Sequence, residues 1–191
     1  MPQFLDRVLP MVSQFFGEKY PRVAAPRDVK LVLAGETGSS PCRDTNGRRD
    51  GYSQESFEYC PANQTIYVGQ ATLWSFYRIG DAAPVLAIAH EWAHHVQAQI
   101  GVAFPRTAAQ SVSFENQADC MAGAWSRYAR EKAWLEYPDD VQDIETLVRA
   151  IGSHEGPGRD HGTAPERNAA FQSGFNEGLA GCNKFSRAPV G

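Results

Sequence analysis

The chain has 191 residues, a length typical of one domain, and 42% of them are hydrophobic, which is enough for a sizeable buried core. Its formal net charge is −4 and its basic residues are scattered, which argues against a nucleic-acid-binding protein with a basic face. No stretch is apolar for long enough to be a transmembrane helix, and the first residues lack the uninterrupted apolar run of a secretory signal peptide, so we expect no membrane segment in this chain.

The first part of the chain predicts one helix and then short strands. Apolar residues recur at helical spacing over residues 2–16, which indicates an amphipathic N-terminal helix. Strands are predicted at residues 29–34, 57–60 and 64–69. Residues 35–52 are rich in Gly, Ser, Asp and Asn, which predicts a loop.

From residue 71 onward the pattern is helical. Helices are predicted over residues 71–79, 83–99, 111–134, 139–151 and 165–179. Gly101 closes the second of these helices and Pro165 opens the last, in line with the residue preferences of helix ends. Short strands followed by longer helices indicate an α+β fold that is mostly helical.

The strongest indication of chemistry is the sequence HEWAH at residues 90–94. On a helix, this HExxH spacing places His90 and His94 one turn apart on the same face, so that both imidazoles can bind one Zn²⁺ ion. Glu91 would then lie beside the water on the metal and act as a general base. A helix with two surface histidines is the simpler alternative, but the apolar residues 85–89 indicate a buried helix, in which histidines need a partner.

A catalytic zinc site usually has three protein ligands and one open position, so a third ligand is needed. Glu115 is the candidate, because it follows His94 by only a loop and the start of a helix. Asp119 lies one turn further along the same helix face and could accept the free N–H of a ligand histidine. Each acid could instead lie on a helix surface, but the small and apolar residues 120–125 indicate a buried helix.

Three further polar residues allow two interpretations each. His161 could act in catalysis by donating to the oxyanion of a tetrahedral intermediate, or it could be a structural residue that caps a helix before Thr163. Arg167 could bind a substrate carboxylate, although we favour an anchor for an acidic side chain. His95 points to another face of its helix than the HExxH histidines, and we expect it to pack or to support a ligand residue.

The four cysteines are Cys42, Cys60, Cys120 and Cys182. None of them forms a CxxC pair, which argues against a zinc ribbon or a thioredoxin motif. An even number of widely spaced cysteines favours two disulfides in an oxidising compartment, and four buried thiols in a cytosolic protein is the alternative. The spacing leaves the three possible pairings open.

Several separate motifs together resemble a known family. AHEWAHHVQ is followed by ENQADCMAGAW and by HGTAPER at residues 161–167, and it is preceded by YCP at residues 59–61 and QTIY at residues 64–67. This combination extends over roughly residues 40–186 and is similar to the neutral zinc metallopeptidases of bacteria, a gluzincin-like family.

The resemblance implies a zincin-like fold, with a small β-sheet whose edge strand precedes the HExxH helix. It implies Glu115 as the third zinc ligand and Glu91 as the general base. The strand around Ile66 and Tyr67 would be the edge strand, along which an extended peptide could pair.

The resemblance also favours disulfides, and it implies the pairs Cys42–Cys60 and Cys120–Cys182. Two disulfides would place the protein in a secreted or extracytoplasmic location. Because no leader is visible, we expect that a leader or anchor is absent from this chain.

We therefore expect one domain over residues 1–191, with an N-terminal helix and a metal-site core at about residues 55–185. Its expected function is that of a zinc-dependent endopeptidase that uses Zn²⁺ to hydrolyse a peptide or protein substrate. A non-catalytic zinc-containing module that binds partners or serves as a scaffold on the cell exterior is one alternative, and a helical domain without metal is another. Glu91 argues against the scaffold, because a purely structural zinc site has no need of an acid there.

Overall fold

The computed structural model describes residues 1–43, 49–154, 156, 159–186 and 188–191. Within these residues, six helices and five short strands confirm the α+β, mostly helical fold class. The elements are α1 (Pro2–Lys19), β1 (Asp28–Val32), β2 (Gly38–Arg43), β3 (Arg49–Tyr52), β4 (Phe57–Cys60), β5 (Thr65–Gly69), α2 (Gln70–Tyr77), α3 (Ala82–Gln99), α4 (Ala108–Glu131), α5 (Asp139–Ala150), α6 (Ala164–Glu177) and a C-terminal 3₁₀ helix (Gly178–Phe185). Each predicted helix is present, with ends that differ by at most three residues. None of the helices in the described part of the chain has the length and apolar character that a membrane span requires.

Helix α3 lies at the centre of the molecule. Nearly every residue from Ala82 to Gln97 is buried, and α1, α2, α4, α5 and β4 all pack against this helix. A helix that is apolar on every side is stable only when it is surrounded by other elements. The HExxH residues at its centre are therefore held in a rigid environment with little water.

The main sheet has the strand order β1-β5-β4. Strand β5 pairs in parallel with β1 and antiparallel with β4, and all five of its residues are buried. The expectation that the strand around Ile66 and Tyr67 forms the edge is therefore wrong. That strand is central because the N-terminal β1 adds to its far side, and β4 is the edge strand beside α3.

A second sheet, the β2–β3 hairpin, occupies part of the predicted loop over residues 35–52, so the loop prediction is wrong for β2 and β3. Residues 44–48 of that predicted loop lie outside the described residues. The hairpin is poor in β-branched residues, and the Cys42–Cys60 disulfide links it to the end of β4. The disulfide to β4 of the main sheet therefore supports the β2–β3 hairpin, whose own residues favour turns.

Helices α4 and α6 pack at unusually close range. A Cβ atom on Gly123 would lie 2.1 Å from the carbonyl oxygen of Phe171, and one on Gly174 would lie 1.8 Å from that of Cys120. Only glycine allows the two backbones to approach this closely. The Cys120–Cys182 disulfide, which is the second of the two pairs that the resemblance implied, links α4 to the C-terminal 3₁₀ helix.

Candidate metal centre

His90 and His94 on α3 converge with Glu115 on α4. His90 Nε2 lies 3.0 Å from His94 Nε2 and 3.2 Å from Glu115 Oε2, and His94 Nε2 lies 3.4 Å from Glu115 Oε1. Both imidazoles and the carboxylate are almost completely buried, with side chains that are 10 to 14% exposed. The structure thus brings together the three residues that the sequence identified as candidate ligands.

The other ring nitrogen of each histidine faces an acceptor. His90 Nδ1 lies 2.8 Å from the Asp119 carboxylate, and His94 Nδ1 lies 2.8 Å from Gln97 Oε1. Because neither acceptor can donate in these contacts, both Nδ1 atoms carry the proton. When a metal binds, each ring can offer the lone pair of Nε2, and the two Nε2 atoms lie close to each other and to the Glu115 carboxylate.

The donor set fits zinc. Two imidazole nitrogens and one carboxylate form a common protein ligand set for a catalytic zinc with one open position. With zinc–ligand bonds of about 2.0–2.1 Å, a tetrahedral site has ligand atoms about 3.3–3.4 Å apart. The separations of 3.0 to 3.4 Å between the three side chains lie close to that value, so these residues could hold the ion with only small adjustments.

The electrostatics of the cluster also favour positive charge. Burial lowers the pKa of His90, but the carboxylates of Asp119 and Glu115 outweigh it and raise this pKa to about 10. Burial likewise lowers the pKa of His94, and Glu115 raises it above the ordinary value. Burial raises the pKa of Glu115, but the two imidazoles hold it well below its usual range. The three side chains thus stabilise a positive charge among them.

Asp119 connects the cluster to α6. Its carboxylate accepts two hydrogen bonds from Arg167, at 2.9 Å from Nε and 2.8 Å from Nη2, and both side chains are at most 5% exposed. This is the fork geometry in which an arginine fixes a carboxylate. Arg167 therefore anchors an acidic side chain, as we favoured, and it is too deeply buried to bind a substrate carboxylate.

Glu91 lies next to the cluster and is 8% exposed. Burial raises the pKa of its carboxyl group, while the neighbouring His90 and His94 oppose that shift. A backbone hydrogen bond from Tyr59, on the edge strand β4, also lowers this pKa. Glu91 thus lies near both the candidate ligands and the edge strand β4.

His161 is located at the mouth of the site. Its Nε2 lies 3.5 Å from Glu115 Oε2, its Nδ1 lies 2.9 Å from Asp160, and its side chain is 42% exposed. Thr163 caps α6 in a reciprocal arrangement with Glu166, so His161 is not needed as a cap. The structure therefore places His161 beside the candidate ligands and open to solvent.

His95 lies one helix turn after Glu91, on the same face of α3. Its Nδ1 contacts the Tyr59 hydroxyl at 3.0 Å, and its Nε2 lies 2.7 Å from the carbonyl oxygen of Ala24. The carbonyl can only accept, so Nε2 donates to it and Nδ1 accepts from the tyrosine. His95 thus packs as expected, and it fastens β4 to α3 beside Glu91.

The sequence analysis did not identify Gln97 or Phe114. Gln97 holds His94 through Oε1, and its Nε2 donates to the carbonyl oxygen of Phe114 and to Gln117 at 3.0 Å each. The Phe114 ring stacks on the His94 imidazole, with centroids 5.0 Å apart. The available indication was spacing, because a polar residue three positions after His94 lies on the same helix face.

Comparison with known proteins gives one family. A family model described as "Putative neutral zinc metallopeptidase" matches residues 1–185. The chain is 33% identical over 160 residues to "Uncharacterized protein YpfJ" of Escherichia coli (strain K12), which covers 68% of this chain and 54% of YpfJ. It is 31% identical over 164 residues to "Uncharacterized protein Rv2575" of Mycobacterium tuberculosis (strain ATCC 25618 / H37Rv), which covers 70% of this chain and 56% of that protein.

The chain spans about half the length of these curated relatives, and no solved structure matches it. The family match extends over nearly the whole chain and includes every residue of the cluster described above. The chain belongs to the neutral zinc metallopeptidase family.

Proposed function

We propose that this protein is a zinc-dependent endopeptidase in which His90, His94 and Glu115 hold the metal. The observation that carries the proposal is the convergence of two imidazole Nε2 atoms and a carboxylate within 3.4 Å of one another, next in sequence to Glu91. A structural zinc site is normally closed by four protein ligands, whereas three ligands and an adjacent acid suit a hydrolytic site.

Zinc bound at this site would acidify a water molecule and polarise the scissile carbonyl. Glu91 accepts the proton of the attacking water and delivers it to the leaving amine nitrogen. Its burial beside the two imidazoles keeps the carboxyl group close to the reacting atoms and limits competing solvent.

His161 is the proposed donor to the oxyanion. The contact of Nδ1 with Asp160 orients the ring so that Nε2 faces Glu115 at the centre of the site. Its exposed side chain can be reached by a substrate beside Glu115. In this proposal His161→Ala lowers kcat, retains zinc and changes KM little.

The substrate backbone is proposed to lie along β4. Among the described strands of the main sheet, β4 pairs only with β5, so its other edge is open to backbone hydrogen bonds. An extended peptide could add to this edge as a further strand. Strand β5, which the sequence analysis had chosen, is paired on both sides and cannot accept one.

A secreted or extracytoplasmic location belongs to the same proposal. Both disulfides are of the kind that forms and persists in oxidising compartments. We also propose that residues 1–191 function as one domain, because α3, α4 and α6 all contribute to a single site.

The test is the digestion of an unbiased peptide mixture by the zinc-loaded protein, read by mass spectrometry, beside the Glu91→Gln variant. We expect cleavage by the wild type and a loss of at least about a hundredfold in the variant, with zinc content unchanged, because one proton-transfer group is removed. His94→Ala should lose the metal, as measured by elemental analysis. Equal cleavage by Glu91→Gln would refute the assignment of the base, and a zinc-loaded wild type that cleaves nothing would favour the scaffold alternative.

A further inference from the structure

A wide groove opens beside the metal centre. It lies between the segment that follows α3, the first turns of α4 and the end of the C-terminal 3₁₀ helix, and its volume is about 1310 Å³. Ligand sites commonly have about 300–1,000 Å³, so this groove has room for more than one residue of an extended peptide. Its apolar walls include Val102, Phe104, Phe114 and Phe185.

Phe114 joins the groove to the candidate ligands. One face of its ring stacks on the His94 imidazole at a 12° angle, and the next residue in the chain is Glu115. Phe114 also lines the groove. The groove therefore adjoins the metal cluster at Phe114.

Phe104 forms the outer wall and is 72% exposed, the largest exposure among the large hydrophobic residues of the described chain. Its ring centroid lies 6.0 Å from that of Phe114. An aromatic ring that remains in water beside a concave apolar surface gains free energy when a ligand covers it. The two rings thus provide an aromatic surface for an apolar group.

The walls of the groove are fixed before any ligand binds. Gln97 donates to the carbonyl oxygen of Phe114, and Gln117 donates to that of Ala188, both at 3.0 Å. The Cys120–Cys182 disulfide anchors the 3₁₀ helix that leads to Phe185. A groove held open in this way binds a side chain without having to be ordered first.

We propose that this groove is a substrate subsite that binds a large apolar, preferably aromatic, side chain close to the scissile bond, and that Phe104 is its specificity-determining residue. This inference rests on the proposed peptidase function, which makes the occupant of the groove a peptide. Preference for a side chain is nevertheless a matter of binding, so it can be measured without catalysis.

The experiment uses the zinc-loaded Glu91→Gln protein, which should bind substrate without cleaving it. Fluorescein-labelled peptides of equal length, identical except for Phe, Leu, Ala or Asp at one central position, are titrated by fluorescence polarisation. We expect the Phe peptide to bind at least about tenfold more tightly than the Ala peptide, because its ring buries more apolar surface. Adding Phe104→Ala should reduce that ratio to below about threefold.

Trp74→Ala is the matched control. Trp74 is another aromatic residue that is 50% exposed, but it lies on α2 and does not line the groove. This variant should leave the preference unchanged. Equal affinities for all four peptides, or no measurable binding of any, would overturn the subsite, and a preference that persists in Phe104→Ala would overturn the role of that residue.

The two proposals fail in different ways. Cleavage without any preference for apolar side chains would keep the peptidase and remove the subsite. Selective binding of the Phe peptide by a protein whose wild type cleaves nothing would keep the groove as an apolar binding site and remove the peptidase.

Discussion

Among the described residues, two regions bring three potential metal ligands within 4.8 Å of one another. One is the buried trio of His90, His94 and Glu115, and the other consists of Asp81, Asp140 and Asp143 where the start of α3 meets α5. The first mixes imidazoles with a carboxylate, and the second contains carboxylates alone. Their surroundings differ more than their spacing does.

The difference lies in what supports each trio. Imidazoles hold the pKa of Glu115 well below its usual range although burial raises it, whereas burial and the neighbouring aspartates raise the pKa of Asp143. Attraction therefore stabilises the first trio, and repulsion disfavours the second. Close spacing of ligand atoms is not sufficient for a metal site. The first trio differs in its support, by which we mean the residues that contact the second ring nitrogen of each ligand histidine.

That support itself has two unequal parts. Behind His90 is a buried ion pair between Asp119 and Arg167, and behind His94 is the neutral amide of Gln97. A buried charge that loses its partner costs far more than a neutral group that loses a hydrogen bond. The charged support should therefore dominate both stability and metal affinity.

The largest effect is expected from Asp119→Ala. It leaves Arg167 buried without its carboxylate and removes the acceptor from His90 Nδ1. The free energy of unfolding of the metal-free protein should fall by about 3–5 kcal/mol, as for other broken buried pairs. Zinc affinity should fall by about 10–100-fold, the usual cost of losing a group that orients a ligand. Urea unfolding followed by tryptophan fluorescence and competition with a chromogenic chelator measure the two quantities.

Asp81→Ala, in the trio of aspartates, is the control for that variant. It also removes one carboxylate of three, but no described hydrogen bond depends on that side chain. It should change the free energy of unfolding by no more than about 0.5 kcal/mol. Similar losses in both variants would mean that the buried support has no special importance.

A smaller effect is expected from Gln97→Leu. The Phe114 carbonyl loses a buried donor, which costs about 1–3 kcal/mol of stability, and His94 loses the acceptor that orients it. Zinc affinity should fall by about tenfold, the lower end of the range for such groups. Gln97→Glu separates the two effects, because it keeps an acceptor for His94 and loses the donor to Phe114. If both variants bound zinc equally poorly, the orienting role of Oε1 would be wrong.

The sequence predicted the buried trio because its spacing is local. A helix turn brings His90 and His94 together, another places Asp119 beyond Glu115, and the apolar neighbours show which face is buried. The helices were predicted to within three residues for the same reason. The proximity of α3 to α4 was inferred from the short connection between them and from the family resemblance, and not from either helix alone.

What the sequence analysis missed depends on pairing between distant residues. Strand β5 was taken for an edge because nothing in its own residues indicates that β1 pairs with it. The β2–β3 hairpin contains few residues that favour strands and is held by a disulfide to β4. Arg167 reaches Asp119 only because Gly123 and Gly174 let α4 and α6 approach closely. Sequence periodicity carries no information about such contacts.

The smallest effect, and one of opposite sign, is expected from Asp143→Asn in the trio of aspartates. A carboxyl group whose pKa is raised on folding makes the folded state less stable at pH values above that pKa, so removing its charge should stabilise the protein at pH 7. The gain should be about 0.5 kcal/mol, typical of like charges one helix turn apart. Below the ordinary pKa of 3.8 the wild-type carboxyl group is neutral in both states, and the difference should vanish. Urea unfolding of the metal-free proteins at pH 7 and at low pH tests both the gain at pH 7 and its loss at low pH. Asp6→Asn on α1 is the control. A loss of stability at pH 7 would show that attraction, and not repulsion, acts on Asp143, and the contrast between the two trios would no longer hold.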